Sequence, residues 1–381
     1  MIDAARLLGA FKNGGVEFFT GVPDSTLKSF CRLLLETTPP ERHVIAANEG
    51  SAIGLAAGYH LATGAIGCVY MQNSGLGNAV NPLTSLAARE VYAIPILLLV
   101  GWRGEMIDGV QQADEPQHAK QGRITLSLLE CLGIGHAVLD GADSDLDGTV
   151  GALLERARQE SQPVALVVRR GLFDGGPGVA PAQARQAPTR EEALRAALAV
   201  LPPDAVVVST TGYVSRELYE FRIASGCSPW RDFLTVGSMG HALQIAAGVA
   251  LARPDKRVVC IDGDGALIMH MGGMATSAAV PNLLHLVMNN GAHESAGGLP
   301  TRGFSIDMPA LARACGYASV ARAESCEEIG RAIGRALSGP GSAFIEICTA
   351  LGSRPDLARP KGEPRQAKED FMRRLGAAAV R

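Results

Sequence analysis

Residues 257–270 read RVVCIDGDGALIMH, an apolar run that stops on Asp262 and then on Gly263-Asp264-Gly265. A short, continuous run of Val, Cys and Ile is the pattern of a strand covered on both faces, as in a parallel sheet flanked by helices. Ligands of such sheets bind at the carboxyl ends of the strands. Here two glycines offer bare backbone N–H groups, and the helical pattern from Ala266 adds the positive end of its dipole, which together suit a phosphate. Asp264 carries the same sign as a phosphate, so the pattern also calls for a hard cation between them, with Mg²⁺ the usual choice.

Outward from this stretch, similar runs recur. They predict strands at Val16–Thr20, Gly67–Met71, Ile94–Val100 and Val164–Val168, then at Ala205–Ser209, Arg257–Ile261, Leu284–Met288 and Ala343–Ile347. Helical patterns separate them, the order expected of α/β folds. Residues 171–188, GLFDGGPGVAPAQARQAP, are rich in Gly, Pro and Ala without periodicity and read as a linker. This divides the chain into domains at 1–170 and 189–381. The halves resemble each other: GSAIGLAAGYHLA (50–62) and GHALQIAAGVALA (240–252) share seven of thirteen residues at an offset of 190. The same offset sets GCVYMQNSG on RVVCIDGDG and ILLLVG on LVMNNG. The expected fold is therefore two similar doubly wound parallel-sheet domains, with different residues at matching strand ends.

Composition narrows the function. The 381 residues carry a net charge of −3 and 5% aromatic residues, with neither the basic stripe nor the stacking platform that nucleic-acid binding needs. The run around Ile94–Val100 is too short to span a bilayer. Eight cysteines contain no CxxC pair and read as reduced side chains of a cytoplasmic protein. The start, MIDAARLLGAFKNGG, is an amphipathic helix pattern without the features of a secretion signal.

The strand after GDG ends in Asn289-Asn290-Gly291-Ala292, with Asn290 26 residues beyond Asp264. An amide oxygen and a free carbonyl are hard ligands, so two neighbouring strand tips gather oxygen donors. GDG followed by NN in this way resembles the thiamine diphosphate-dependent enzymes, and the resemblance covers essentially the whole chain. It implies a pyrimidine-binding first domain and a diphosphate-binding second domain, without a large central domain. It implies thiamine diphosphate and Mg²⁺ as cofactors, with the metal held by Asp264, the Asn290 side chain and the Ala292 carbonyl. Gly263, Gly265 and Ala266 would present backbone to the diphosphate. In TVGSMGHA (235–242), Gly237 would accept a hydrogen bond from the aminopyrimidine and Met239 would wedge the cofactor into its bent form. Glu49, in AANEGSAIG, would be partly buried and act on the pyrimidine ring, with Ser74 and Gly75 lining that end. The resemblance also implies at least a homodimer with active sites shared between subunits.

Within the family, the two-domain length and the stretches GVPDS (21–25), DEPQHAKQGRIT (114–125), NNGAHESAGGLPT (289–301), SRPDLARP and KEDFM resemble the phosphonopyruvate decarboxylases. This implies a small 2-oxo acid substrate, 3-phosphonopyruvate, converted to phosphonoacetaldehyde and CO₂ in phosphonate biosynthesis. Asp24 and His118 are the candidate proton-transfer groups. Asp24, Ser25, Arg103, His118, His293 and Glu294 are the candidate substrate residues, and Lys120, Arg302, Arg354 and Arg359 are further cations. Glu294 and Leu299 depart from the Asp and Gln usual there. Sulfopyruvate decarboxylation, joining of the intermediate to an aldehyde, and non-catalytic binding of a phosphate ligand are the alternatives.

Overall fold

The computed structural model describes residues 2–141, 145–173 and 186–376. They form two compact units, Met1–Val179 with Ala296–Leu299, and Ala180–Ser295 with Pro300–Arg381. Most of the expected linker, residues 174–185, lies outside the described residues.

Each unit is built on a six-stranded parallel sheet. In the first, β1 (Phe18–Gly21), β2 (His43–Ile45), β3 (Gly67–Gln72), β4 (Ile96–Trp102), β7 (Gly135–Leu139) and β8 (Val164–Arg169) lie in the order β2-β1-β3-β4-β8-β7. Two short strands, β5 (Met106–Ile107) and β6 (Val110–Gln111), form a hairpin after β4. The second sheet uses β9 (Val206–Ser209), β10 (Phe233–Leu234), β11 (Val258–Gly263), β12 (Leu283–Asn289), β15 (Ser319–Ala323) and β16 (Ala343–Cys348) in the order β10-β9-β11-β12-β16-β15. Here too a short pair, β13 (Ala292–His293) and β14 (Leu299–Pro300), follows the central strand. Counted along the chain, both sheets have the same strand order, which is the duplication at the level of topology.

Helices cover both faces of each sheet, so alternate side chains of one strand enter different cores. In β4, Leu97 and Leu99 pack into one apolar cluster while Ile96, Leu98 and Val100 pack into the other. In β12, Leu284 and Leu286 face one cluster and Leu283 and Val287 the other. All seven residues of β4 and of β12 are buried.

Besides the short pairs β5–β6 and β13–β14, four strands of the two main sheets carry no continuous apolar run in the sequence: β2, β7, β10 and β15. All four are sheet edges and are only partly buried. An edge strand exposed to water does not need the continuous apolar run by which the central strands were found. The constant offset also needs correction. It holds within one residue at β3 and β11 (258 − 67 = 191), but falls to 187 at β4 and β12 (283 − 96). Gly101 is therefore not the counterpart of Gly291. By strand position, Asn290 corresponds to Arg103.

Candidate active site

In the first unit the functional candidates gather at the ends of β1, β3 and β4. Glu49 is the first residue of the helix Glu49–Thr63, whose N-terminus is capped by Asn48 accepting from the Ser51 N–H. Such an acid complements the helix dipole, yet Glu49 is only 6% exposed. Its Oε2 accepts a hydrogen bond from Asn78 Nδ2 at 2.7 Å. Gly75 faces the same carboxylate so closely that a Cβ there would lie 2.4 Å from Oε1. Ser74 Oγ accepts from Gln72 Nε2 at 2.7 Å. Asn73 is buried and ties the two central strand tips together: Nδ2 donates to the Arg103 carbonyl and to Thr125 Oγ1, and Oδ1 accepts the Arg103 N–H.

Arg103 links the remaining candidates. It forms a two-pronged pair with Asp114, Nε and Nη2 to the two carboxylate oxygens at 2.7 and 2.6 Å, and its Nη1 donates to Ser25 Oγ at 3.2 Å. Burial alone would raise Asp114, but Arg103 and the N–H groups of Glu115 and Gly104 hold it well below the usual carboxylate range. Arg103 was expected as a cation for an acidic substrate; its charge is already matched by Asp114. Asp24 is 3% exposed. Its Oδ2 accepts the Thr26 N–H at 2.9 Å, and its Oδ1 has no hydrogen-bond partner among the described residues. Burial pushes Asp24 up to about 6, against the pull of Thr26 and Arg103. His118 is buried with its Nδ1 likewise unpaired. Burial, helped by the charge of Arg103, lowers it, which favours the neutral ring.

The second unit collects oxygen donors. Parallel pairing sets Gly263 beside Met288, so Asp264 and Asn290 follow directly on adjacent strand tips. Asp264 is 2% exposed, and burial pushes it up to about 6 even though the Thr301 hydroxyl donates to its Oδ2. Gly303 is pressed against Asp264 and Asn289; a Cβ there would lie 2.4 Å from Asn289 Oδ1. Asn289 is fully buried, donates to Glu346 at 2.7 Å and accepts the Gly291 N–H. Asn290 Oδ1 accepts the Ala292 N–H at 3.1 Å, and its Nδ2 donates to Glu294 Oε2 at 2.9 Å. Gly265 faces the His293 ring, where a Cβ would lie 3.0 Å away. Loss of water around that ring lowers His293 to about 4. In the loop 235–242, Ser238 lies between Gly237 and Met239 at φ 55°. That left-handed backbone is uncommon for a non-glycine residue and clusters at ligand-binding loops. Met239 is half-buried on this loop.

Two expectations need revision. Glu294 is engaged by Asn290 and by Arg190 Nη1 rather than standing open for substrate. Arg354 is exposed and surrounded by Glu191, Glu220 and Asp356. Leu299 is fully buried, whereas Arg302 and Lys120 are exposed. Asn78, Thr301 and Arg190 were not singled out from sequence. Thr301 lies in the quoted NNGAHESAGGLPT stretch, but its role follows only from contact; Asn78 and Arg190 carry no local signal.

These residues fit a magnesium diphosphate. A buried carboxylate with one oxygen held by Thr301, the Asn290 amide oxygen on the neighbouring strand tip and the Ala292 carbonyl two residues on are a hard-cation donor set. Gly263 faces open space, which lets backbone approach a ligand.

Comparison with known proteins identifies the family. The thiamine pyrophosphate enzyme N-terminal TPP binding domain matches residues 4–126, and the C-terminal TPP binding domain matches residues 211–347. The phosphonopyruvate decarboxylase of Streptomyces viridochromogenes is 35% identical, over 97% of this chain and 94% of that protein. The phosphonopyruvate decarboxylase of Streptomyces hygroscopicus is 36% identical over 97% and 93%. The sulfopyruvate decarboxylase of Methanosarcina acetivorans is 26% identical over 97% of each. The chain belongs to the thiamine pyrophosphate-dependent enzymes, within the phosphonopyruvate decarboxylase family.

Proposed function

We propose that this chain decarboxylates 3-phosphonopyruvate to phosphonoacetaldehyde and CO₂, using thiamine diphosphate and Mg²⁺. The observation that carries the substrate is the likeness at 35–36% identity, over nearly the full length, to two phosphonopyruvate decarboxylases. The sulfopyruvate enzyme stands lower, at 26%.

When bound, thiamine diphosphate supplies a carbon nucleophile for the 2-oxo carbonyl and an acceptor for the electron pair left by CO₂. The chain supplies the rest. Asp264, Asn290 and the Ala292 carbonyl would hold Mg²⁺, with Gly263, Gly265 and Ala266 presenting backbone to the diphosphate and Gly237 and Met239 shaping the cofactor. Glu49, fixed by Asn78 and backed by Gly75, would share a proton with the pyrimidine. Ser74 would line that end. Asp24, raised to about 6, and His118, lowered by burial, are suited to hold and pass protons near neutral pH. Ser25, His293 and the Arg103–Asp114 pair would position substrate. The same reading calls for at least a homodimer. A cytoplasmic setting fits eight cysteines that contain no CxxC pair, and no helix among the described residues is long and apolar enough to cross a membrane.

The test is aldehyde release from phosphonopyruvate and from sulfopyruvate, each with and without thiamine diphosphate and Mg²⁺. Cofactor-dependent turnover favouring phosphonopyruvate supports the proposal. Preference for sulfopyruvate overturns the substrate and keeps the chemistry.

A further inference from the structure

We propose that Glu294 is a positioning residue: it fixes which end of the Asn290 amide faces the metal site, and Arg190 with Glu217 anchors it. The inference rests on Asn290 as a metal ligand, and it gives Glu294 a task other than substrate binding.

An amide has a donor end and an acceptor end of nearly equal size, so shape alone does not choose between its two orientations. A cation needs the oxygen. A carboxylate only accepts, so a carboxylate beside an amide selects the NH₂ end. Asn290 Nδ2 donates to Glu294 Oε2 at 2.9 Å. Oδ1 is thereby turned the other way, where it takes the Ala292 N–H at 3.1 Å and keeps a second lone pair. The preceding asparagine is held by the same device: Asn289 Nδ2 donates to the buried Glu346 carboxylate at 2.7 Å, and Arg322 pairs with that carboxylate from its other oxygen. Two consecutive amides each have a carboxylate on the NH₂ end and a guanidinium behind it.

Glu294 is itself held. Arg190 Nη1 donates to the same Oε2 that accepts from Asn290. Arg190 is 4% exposed. Its Nε and Nη2 grip Glu217 at 2.9 and 2.8 Å, and the Tyr213 ring lies 5.2 Å from the guanidinium carbon. A guanidinium clamped on three sides cannot swing, and neither can the carboxylate it holds. One cation here faces two carboxylates, so the group keeps a negative charge beside the ligand, which a divalent cation would offset.

Orientation and charge are separable. In Glu294→Gln the carbonyl oxygen can occupy the Oε2 position, keeping both hydrogen bonds while removing the charge. In Glu294→Ala both are lost, and Arg190 retains Glu217, so the fold should persist. The readout is the Mg²⁺ concentration that half-saturates thiamine diphosphate binding, followed by calorimetry on the full chain, with Asn290→Ala as the reference. The proposal expects that concentration to rise about 10–100-fold in Glu294→Ala, the range for residues that orient metal ligands, and to stay within about 3-fold in Glu294→Gln. Equal loss in both variants, or no loss in Glu294→Ala, overturns the positioning role. Unchanged Mg²⁺ dependence in Asn290→Ala overturns the metal assignment itself, a separate result.

Discussion

The two halves of the chain share one strand order and end their central strands on opposite chemistry. At the tip of β4 stands Arg103, a cation clasped by Asp114. At the matching tip of β12 stands Asn290, a neutral amide, across from the buried acid Asp264. Ahead of its sheet helix the first half carries Glu49, whereas the second carries the glycine-rich loop around Ser238. The central strands are interchangeable in pattern because they answer only to burial. In the proposed function the tips would answer to a ligand, and a ligand with a ring at one end and a diphosphate at the other needs two different sets of groups. Duplication thus supplied the scaffold twice, and the two copies carry different chemical groups at the strand ends and the loops that follow them.

If that division is right, matched substitutions in the two halves should fail in different ways. The largest effect is expected from Glu49→Gln: cofactor binding retained, with kcat reduced about 10³-fold, within the range for proton-transfer groups. Single-turnover rates beside calorimetry check this, and full activity would remove Glu49 from the mechanism. Asp264→Ala should do the reverse, weakening Mg²⁺-dependent cofactor binding by at least about 100-fold, the upper range for loss around a metal site. Tight binding by Asp264→Ala would refute the metal assignment.

Gly75→Ala sharpens the comparison inside the first half. Its Cβ would fall 2.4 Å from Glu49 Oε1, so the carboxylate must move, and a displacement of about 1 Å can lower kcat about 100-fold. The control is Gly77, two residues on in the helix Leu76–Pro82, where a Cβ meets nothing within 4 Å; there alanine should stabilise that helix by about 0.5–1 kcal/mol. Equal activity in both variants would show that the glycine does not serve Glu49.

Asp24 predicts a pH signature. Its folded value lies above the ordinary value of 3.8, at about 6, because burial disfavours the charge. The stability it lends is therefore whole below about pH 4 and lost as pH climbs through 6. Asp24→Asn, neutral at every pH, should be more stable than the native cofactor-free protein above pH 6, by about 1–3 kcal/mol, and so melt at a higher temperature. The gap should close toward pH 4, and turnover should fall. A melting difference independent of pH would mean that Asp24 is not buried as described.

The sequence by itself determined the two-domain α/β plan, the duplicated core and the cofactor class, and it singled out Glu49, Asp264 and Asn290 as the candidates on which the proposed mechanism rests. It could do so because buried parallel strands must be continuously apolar, and because a diphosphate with its cation needs a fixed kind of residue at strand ends. Tertiary structure alone placed the four edge strands, whose half-exposed faces demand no such run, and showed the offset slipping between β3 and β4. It alone decided partners as well. Arg103 reads as an open cation until Asp114 is seen closing on it. Glu294 reads as a substrate group until Arg190, 104 residues away, is seen holding it. Which charges are already matched depends on residues distant in the chain, and that is decided only when the chain has folded.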